Sequence, residues 1–417
     1  MDLINAEILT IGDEILYGQI TDTNSQWMSG ELDKVGIKVV RKTTVGDIEE
    51  DIMTAFEEAE SRADIVLITG GLGPTNDDLT KPCLAKYFDC EIAIHDGALQ
   101  EITDLFNRIG RELTPLNRMQ AALPVCCDMI SNKSGTAPGM WFQRNGKVFV
   151  SMPGVPYEMK EMMTNTIIPR LQTVFKTPVI YHKIVKTVGI GESWLADKIK
   201  DWEDALPEHI KLAYLPSLGQ VRLRLTAKGD DEEQLKIEVD ELIADLMKYA
   251  KKYVFGYGND KLEEVVGRLL RDRSLTISTA ESCTGGNIAQ MITSIAGSSD
   301  YFLGSVVAYH NDIKKLALGV KEETLMHHGA VSEETIREMA EGVRNRFGTD
   351  IGVATSGIAG PGGGTPDKPV GTVWIAYADG NETVAKKLQL WKDRTLNIRS
   401  SSVATLNLVR QRLTEND

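Results

Sequence analysis

Three residue types at suggestive spacing could do acyl chemistry in this chain: a serine at a turn, a tyrosine near a strand end and a lysine in the helix that follows. The serine stands in Ala280-Glu281-Ser282-Cys283-Thr284-Gly285-Gly286, after the strand-like run Leu275–Thr279 and before the helix-like run Asn287–Ile295. The first N–H groups of a helix have no partner inside it, so such a turn offers donors to an anion, or to an oxygen becoming one. A serine there suggests a nucleophile. It equally suggests a helix cap followed by a glycine packing contact, and these seven residues leave both readings open. A free hydroxyl is a weak nucleophile and needs a base. His310, His327 and His328 are the histidines of this part of the chain. The last two fall in a helix-to-loop stretch without a glycine cradle, which predicts surface positions. The run Gly304-Ser305-Val306-Val307-Ala308-Tyr309-His310-Asn311-Asp312-Ile313-Lys314 offers another base. Tyr309 closes a predicted buried strand, where the loops of an α/β sheet gather ligands, and Lys314 lies early in the next helix. A lysine stripped of water can lose its proton near neutral pH, and serine with lysine can replace serine with histidine. By pattern alone, Tyr309 reads equally as a strand cap and Lys314 as a solvated helix residue.

Cys283 carries the better intrinsic nucleophile, yet neighbouring positions of a turn point in different directions and only one can face a pocket. A small buried cysteine is the commoner role, so Ser282 is the expected nucleophile. A second glycine-rich turn, Ser356 to Thr365, follows a strand; its backbone could approach a phosphate or ribose unobstructed, or form a flexible surface loop. In the first part of the chain, Thr69-Gly70-Gly71-Leu72-Gly73-Pro74-Thr75-Asn76-Asp77-Asp78-Leu79-Thr80 leads from a strand into a helix. Glycines with two carboxylates suggest a phosphate cradle beside a metal-binding acid, although Asp78 would cap the helix in any case. The turns Gly12-Asp13-Glu14 and Pro153-Gly154-Val155-Pro156-Tyr157-Glu158 also end strands, and the three loops could converge on one sheet edge.

These residues need elements to hold them. Segment 1–172 alternates strands (Ala6–Ile11, Ile37–Thr43, Asp64–Thr69) with helices (Thr23–Leu32, Ile48–Glu60), the pattern of a mostly parallel sheet covered on both faces. A hairpin over Met140–Met152 turns at Asn145-Gly146. Segment 173–255 reads as a small α+β domain with a very acidic helix from Asp230 to about Lys251. Its Gly189-Ile190-Gly191-Glu192 resembles a nucleic-acid-binding loop only superficially, and a connecting or dimerising role is expected. Segment 256–417 alternates strands and helices again, as a second three-layer α/β domain. The whole is read as α/β: two three-layer domains with mostly parallel sheets, joined by a small α+β domain.

Bulk properties narrow the function. At 417 residues the chain exceeds one ordinary core, and its 42% hydrophobic and 25% charged residues are those of a globular protein. No apolar stretch approaches the roughly 20 residues of a membrane span, and the start lacks a basic leader, so a cytoplasmic location away from membranes is expected. The five cysteines, at 83, 90, 126, 127 and 283, form no Cys-x-x-Cys pair, which predicts reduced thiols and argues against zinc. A net charge of −14 argues against nucleic acid as a partner, while local helix ends can still attract anionic metabolites.

The serine turn, the Gly-Ser-Val-Val-Ala-Tyr-x-Asn-x-x-Lys run and the Ser-Gly-Ile-Ala-Gly-Pro-Gly-Gly-Gly-Thr loop resemble the carboxy-terminal domain of the CinA family. That resemblance implies an amidohydrolase of pyridine-nucleotide salvage, which turns nicotinamide mononucleotide into nicotinate mononucleotide and ammonia without a metal or other cofactor. It implies Ser282 as nucleophile with Tyr309 and Lys314 as its activating pair. Thr284, Gly285, Gly286, Gly357, Gly360, Gly362 and Thr365 would then hold the ribose phosphate. Arg394 and Arg399 match the family's Asp-Arg-x-x-x-x-Arg pattern as phosphate partners. His310 stands where relatives often carry a smaller polar residue. The first segment resembles the molybdopterin-binding type of domain, linked in this family to metal-dependent hydrolysis of ADP-ribose. The implied nucleotide site comprises Gly12, Asp13, Glu14, Asn24, Gly70, Gly71, Gly73, Thr75, Asp77, Gly154 and Glu158. Asp78 is the candidate ligand of a divalent metal (Mg, Mn or Co). Asp77 replaces the arginine common in pterin-binding relatives, and an acid there repels phosphate unless a metal intervenes. A homodimer acting on small nucleotides is expected. The alternative is a non-catalytic nucleotide- or pterin-binding scaffold linked to competence or DNA damage.

Overall fold

The structure, a computed structural model, describes residues 4–75 and 78–414. It comprises two compact units, one of residues 4–181 with 228–235, the other of 182–227 with 236–414.

In the first unit, strands β1 (Asn5–Ile11), β2 (Lys38–Val45) and β3 (Ile65–Thr69) run parallel, with β1 between the other two. The short strands β4 (Ile92–Ile94) and β5 (Ala122–Pro124) pair apart from this sheet. Strands β6 (Asp128–Ile130), β7 (Gly139–Arg144) and β8 (Lys147–Met152) extend it, in the order β2-β1-β3-β8-β7-β6. Here β3–β8 is parallel and the two outer pairs are antiparallel. Alternation along β1 and β3 divides the core. Leu9, Ile11, Val66 and Ile68 pack with Phe56, Leu84 and Phe149, whereas Ala6, Ile8, Ile65 and Leu67 pack with Met28, Leu32 and Met159. Burial on both faces explains why these strands read as continuous apolar runs. Asn145 and Gly146, at φ 53° and 77°, form the left-handed turn that their types demand.

The thiol expectation is corrected in this unit. Cys90 and Cys126 form a disulfide with Cα atoms 6.1 Å apart, while Cys83, Cys127 and Cys283 are free. The physical reason is the β4–β5 ladder, extended by the Val125 N–H to the Glu91 carbonyl at 2.8 Å, which brings its flanking cysteines face to face. Sequence spacing carries no trace of that pairing.

The middle segment forms an antiparallel sheet of β9 (Val179–Val188), β10 (Ile210–Ser217), β11 (Gln220–Gly229) and β12 (Val254–Tyr257), with helices Glu192–Asp204 and Glu232–Ala250. The last sheet comprises β13 (Ile277–Glu281), β14 (Phe302–Val307), β15 (Ile351–Gly357), β16 (Thr372–Ala378) and β17 (Thr383–Gln389), in the order β14-β13-β15-β16-β17. Strand β13 is parallel to both its neighbours, and β15–β16 and β16–β17 are antiparallel. Two apolar layers flank this sheet, one including Val266, Leu270, Leu406 and Val409, the other Ile336, Met339 and Val343. The final helix, Arg394–Thr414, buries hydroxyls alongside its leucines. Ser401 and Thr405 donate to the carbonyls of Asn397 and Ser401, four residues earlier, at 2.7 and 2.8 Å, so these polar side chains are satisfied within the helix. Among the described residues, no helix is long and apolar enough to cross a membrane.

Candidate functional site

Strands β13, β14 and β15 deliver three chain segments to one sheet edge. The Ser282 N–H donates to Thr355 O at 2.9 Å, which extends the β13–β15 ladder one residue past the strand. Gly285 and Gly286 then turn the chain at φ 62° and 98°, values that favour glycine, into helix Asn287–Thr293. Ser282 is buried, 8% exposed, and Lys314 is buried at 1%. The Lys314 Nζ lies 3.1 Å from Ser282 Oγ, 2.7 Å from Ala308 O and 3.5 Å from Tyr309 O. None of these partners is a carboxylate. Burial accordingly pulls the amine below its ordinary value, and the nearby Cys283 opposes this only in part. The Cys283 thiol is buried and pushed up to about 12 by desolvation, which leaves it a core side chain.

Two sequence expectations are corrected here. Tyr309 does not close a buried strand, because β14 ends at Val307 and is an edge strand; the ring is 59% exposed. Its hydroxyl accepts a 2.8 Å hydrogen bond from Arg394 Nη2, while Arg394 Nη1 donates to Gly360 O at 2.8 Å. The donors at the helix start are also not free. The Glu281 carboxylate accepts from Gly286 N, Ile288 N and Ala289 N at 3.0, 3.0 and 2.8 Å. What remains open at the turn are the N–H groups of Cys283 and Thr284, which donate to no other residue among those described.

The remaining candidates are placed as follows. Thr284 is buried, with its hydroxyl 2.6 Å from that of Thr355, so it braces the turn from below. Gly357 is a close-approach position, since a Cβ there would lie 2.6 Å from Val373 Cγ2. Gly360 and Gly362 lie on the loop held by Arg394 and by Asn397, whose Nδ2 donates to Ala359 O at 2.9 Å. Thr365 sits further out in an exposed turn with Lys368. Arg399 is exposed, about 200° around the helix from Asn397, and points off this loop. His310 is an exposed helix cap whose Nδ1 accepts the Asp312 N–H at 3.3 Å, and His327 and His328 are exposed as expected.

At the first unit's edge, the ends of β1, β3 and β8 lie side by side, so the three loops do converge. Gly70, at φ 106°, approaches Ile11 O so closely that a Cβ would sit 2.1 Å from it. Asn24 is 7% exposed; its Nδ2 donates to Gly154 O at 2.8 Å, and its Oδ1 has no partner among the described residues. Gly71 stands against Thr80, whose hydroxyl donates to Gly70 O at 2.9 Å. Gly12 lies over the Glu14 carboxylate, and Asp13 donates its N–H to Asp47 at 3.0 Å. Glu158 is turned toward Asn132, from which it accepts at 2.7 Å. Asp77 lies outside the described residues. Asp78 is committed to its own loop, accepting from Gly73 N, Thr75 N and Thr75 Oγ1 at 2.7, 2.8 and 2.6 Å. Among the described residues no group of three or more His, Cys, Asp or Glu could hold a metal. Asp78 thus serves as the clamp of a glycine loop and does not cap the helix that follows, whose N-cap is Leu79. Sequence reading missed Lys81, whose Nζ donates to Gln120 O at 3.1 Å and whose pKa burial lowers to about 8 despite the nearby Asp78. Its one signal was its place directly after the Asp-Asp-Leu-Thr run.

Comparison with known proteins divides the chain in three. Residues 7–173 match the description "Probable molybdopterin binding domain", 182–256 "Damage-inducible protein CinA KH domain" and 259–413 "CinA C-terminal domain". A CinA-like protein of Cytophaga hutchinsonii is 53% identical over 99% of both chains. Another, of Flavobacterium psychrophilum, is 43% identical over 99% of both. A crystal structure of CinA from Thermoplasma acidophilum is 34% identical, covering 41% of this chain and 98% of that one, at a TM-score of 0.36.

Proposed function

This chain belongs to the CinA family, and from that premise we propose that its carboxy-terminal part is a serine amidohydrolase that deamidates nicotinamide mononucleotide. One observation carries the reading: a buried lysine amine with no carboxylate partner among the described residues, 3.1 Å from a serine hydroxyl. Ser282 Oγ attacks the carboxamide carbon while its proton passes to the uncharged Lys314 amine. The carbonyl oxygen becomes an oxyanion in reach of the open Cys283 and Thr284 N–H groups; losing one such donor costs on the order of 100-fold or more. The Lys314 ammonium then protonates the departing amine, which leaves as ammonia. Water, deprotonated by the same amine, cleaves the acyl-enzyme to nicotinate mononucleotide and free Ser282. Ala308 O, at 2.7 Å, takes one N–H of the neutral amine and turns its lone pair toward the serine. Tyr309, bound to Arg394, is assigned to the substrate mouth, where Arg394 would meet the phosphate. Ammonia release should be unaffected by chelator, abolished in Ser282→Ala and kept in Cys283→Ala. Activity surviving in Ser282→Ala would overturn the assignment.

The amino-terminal loops are proposed to hold the pyrophosphate of ADP-ribose. The engagement of Asp78 by three donors of its own loop favours a binding role there over metal-dependent hydrolysis. Calorimetry with ADP-ribose, with and without Mg, Mn or Co, separates the two: metal-dependent product formation would restore the hydrolase. The proposal includes a cytoplasmic homodimer acting on small nucleotides, which sedimentation would test.

A further inference from the structure

Glu281 precedes the proposed nucleophile and lies at the end of β13, fully buried at 0% exposure. A buried carboxylate needs compensation, and an ion pair is the usual source. The hydrogen bonds described for Glu281 supply it otherwise. Oε2 accepts from Gly286 N and Ile288 N, and Oε1 from Ala289 N and, at 3.4 Å, from Thr279 Oγ1. The side chain therefore loops over the turn and seizes the donors at the start of the helix beyond it. Residues 282–285 are spanned by this bridge. The backbone of Glu281 reaches the other half of the site. Its carbonyl accepts from Ala308 N at 2.8 Å, and the Ala308 carbonyl in turn receives Lys314 Nζ at 2.7 Å.

We propose that Glu281 is a positioning residue for the Ser282 reaction: its carboxylate fixes the turn and withdraws the competing helix donors, so that only the Cys283 and Thr284 N–H groups face the developing oxyanion. The inference rests on the Ser282 assignment but concerns a different residue. Charge-assisted N–H bonds of this kind are among the stronger ones available to a carboxylate, and they hold the hydroxyl and the oxyanion donors in one geometry. Glu281 neither receives nor gives up a proton in this scheme. In Glu281→Gln the amide –NH2 meets backbone N–H donors head-on, at least one bond is lost, and the turn shifts. Misplacement of about 1 Å in a reacting group costs on the order of 100-fold.

The test is the rate at which a fluorophosphonate labels Ser282, located by peptide mass. This readout depends on serine activation and on oxyanion donors but not on the natural substrate. The full-length wild type should label, and Ser282→Ala should not. Glu281→Gln should label about 100-fold more slowly, with an unchanged pH midpoint and unchanged affinity for nicotinamide mononucleotide by calorimetry. Thr279→Val removes the long fourth contact together with the 2.7 Å bond to Ser305 Oγ; read against Ser305→Ala, which removes only the latter and should label as the wild type does, it should slow labelling a few-fold and covers the case in which the glutamine variant fails to fold. Wild-type rates in both Glu281→Gln and Thr279→Val, or a pH midpoint displaced in Glu281→Gln, would overturn the positioning role. Absence of labelling in the wild type would instead sink the Ser282 assignment itself.

Discussion

Lys314→Met, studied across pH, interrogates the buried amine directly. The side chain is 1% exposed, and burial lowers its folded-state pKa from 10.5. Between that lowered value and 10.5 the unfolded chain binds the proton and the folded chain does not. Stability conferred at this site therefore rises with pH through the window, by about 1.4 kcal/mol for each pH unit. Below the window both states are charged, and the full cost of burying an ammonium is present. Methionine has similar volume and no proton. It forfeits two good hydrogen bonds, those at 2.7 and 3.1 Å, worth about 1 kcal/mol each, and removes the pH-dependent cost. The variant should gain on the wild type as pH falls and lose that advantage as pH rises. Hydrogen exchange of the β13 and β15 amides from pH 6 to 10, corrected for intrinsic rates, reads this locally. Catalysis should follow the same ionisation. Wild-type kcat/KM should fall tenfold per pH unit below the lowered pKa, and Lys314→Met should lose about 100- to 10,000-fold. A stability difference independent of pH, or a rate profile flat from pH 6 to 10, would refute the desolvated-base argument.

Three other outcomes are expected. Tyr309→Phe should reduce amidase kcat no more than about tenfold while raising KM, because the hydroxyl is bound to Arg394 and not to Ser282; a loss comparable to that of Lys314→Met in steady-state assays would make it a proton carrier. Asp78→Asn should weaken ADP-ribose binding, by calorimetry, both with and without added metal, since it unclamps Gly73 and Thr75; a loss confined to metal-containing samples would restore Asp78 as a ligand. Reductant should lower the unfolding midpoint of the first unit but not the second, because the Cys90–Cys126 bond closes a loop of 36 residues, worth about 3 to 4 kcal/mol in the chain-entropy account; unchanged unfolding would show that the bond does not constrain the unfolded chain.

Sequence reading succeeded where a residue's role follows from local chemistry. Asn145-Gly146 announces its turn, β1 and β3 announce double burial, and the glycines after β3 and β13 announce chain reversals. Strand β13 was harder: it runs to Glu281, two residues past the apolar stretch, because a glutamate that finds its own donors can end a buried strand. Tyr309 was misplaced for the opposite reason. An apolar-looking run need not be interior, and β14 lies at the sheet edge, a fact of topology invisible to periodicity. Lys314 looked like any solvated helix lysine, and its place in the site depends on Ser282 arriving from the end of β13, while Ala308 is a neighbour in its own segment. The Cys90–Cys126 bond likewise depends on partners brought together only by the fold, whereas Asp78 is held by Gly73 and Thr75, neighbours in its own loop.

The final helix runs unbroken from Arg394 to Thr414. Its first residue, Arg394, touches the loop at Gly360; 16 positions later, Arg410 grips the carbonyls of Lys252 and Val254 at 2.6 and 3.1 Å in the middle segment. At 1.5 Å per residue these attachments stand roughly 24 Å apart on one stiff rod. The glycine loop and the strand that begins at Val254 thus share one anchoring element, and no loop interrupts the helix between their two attachments.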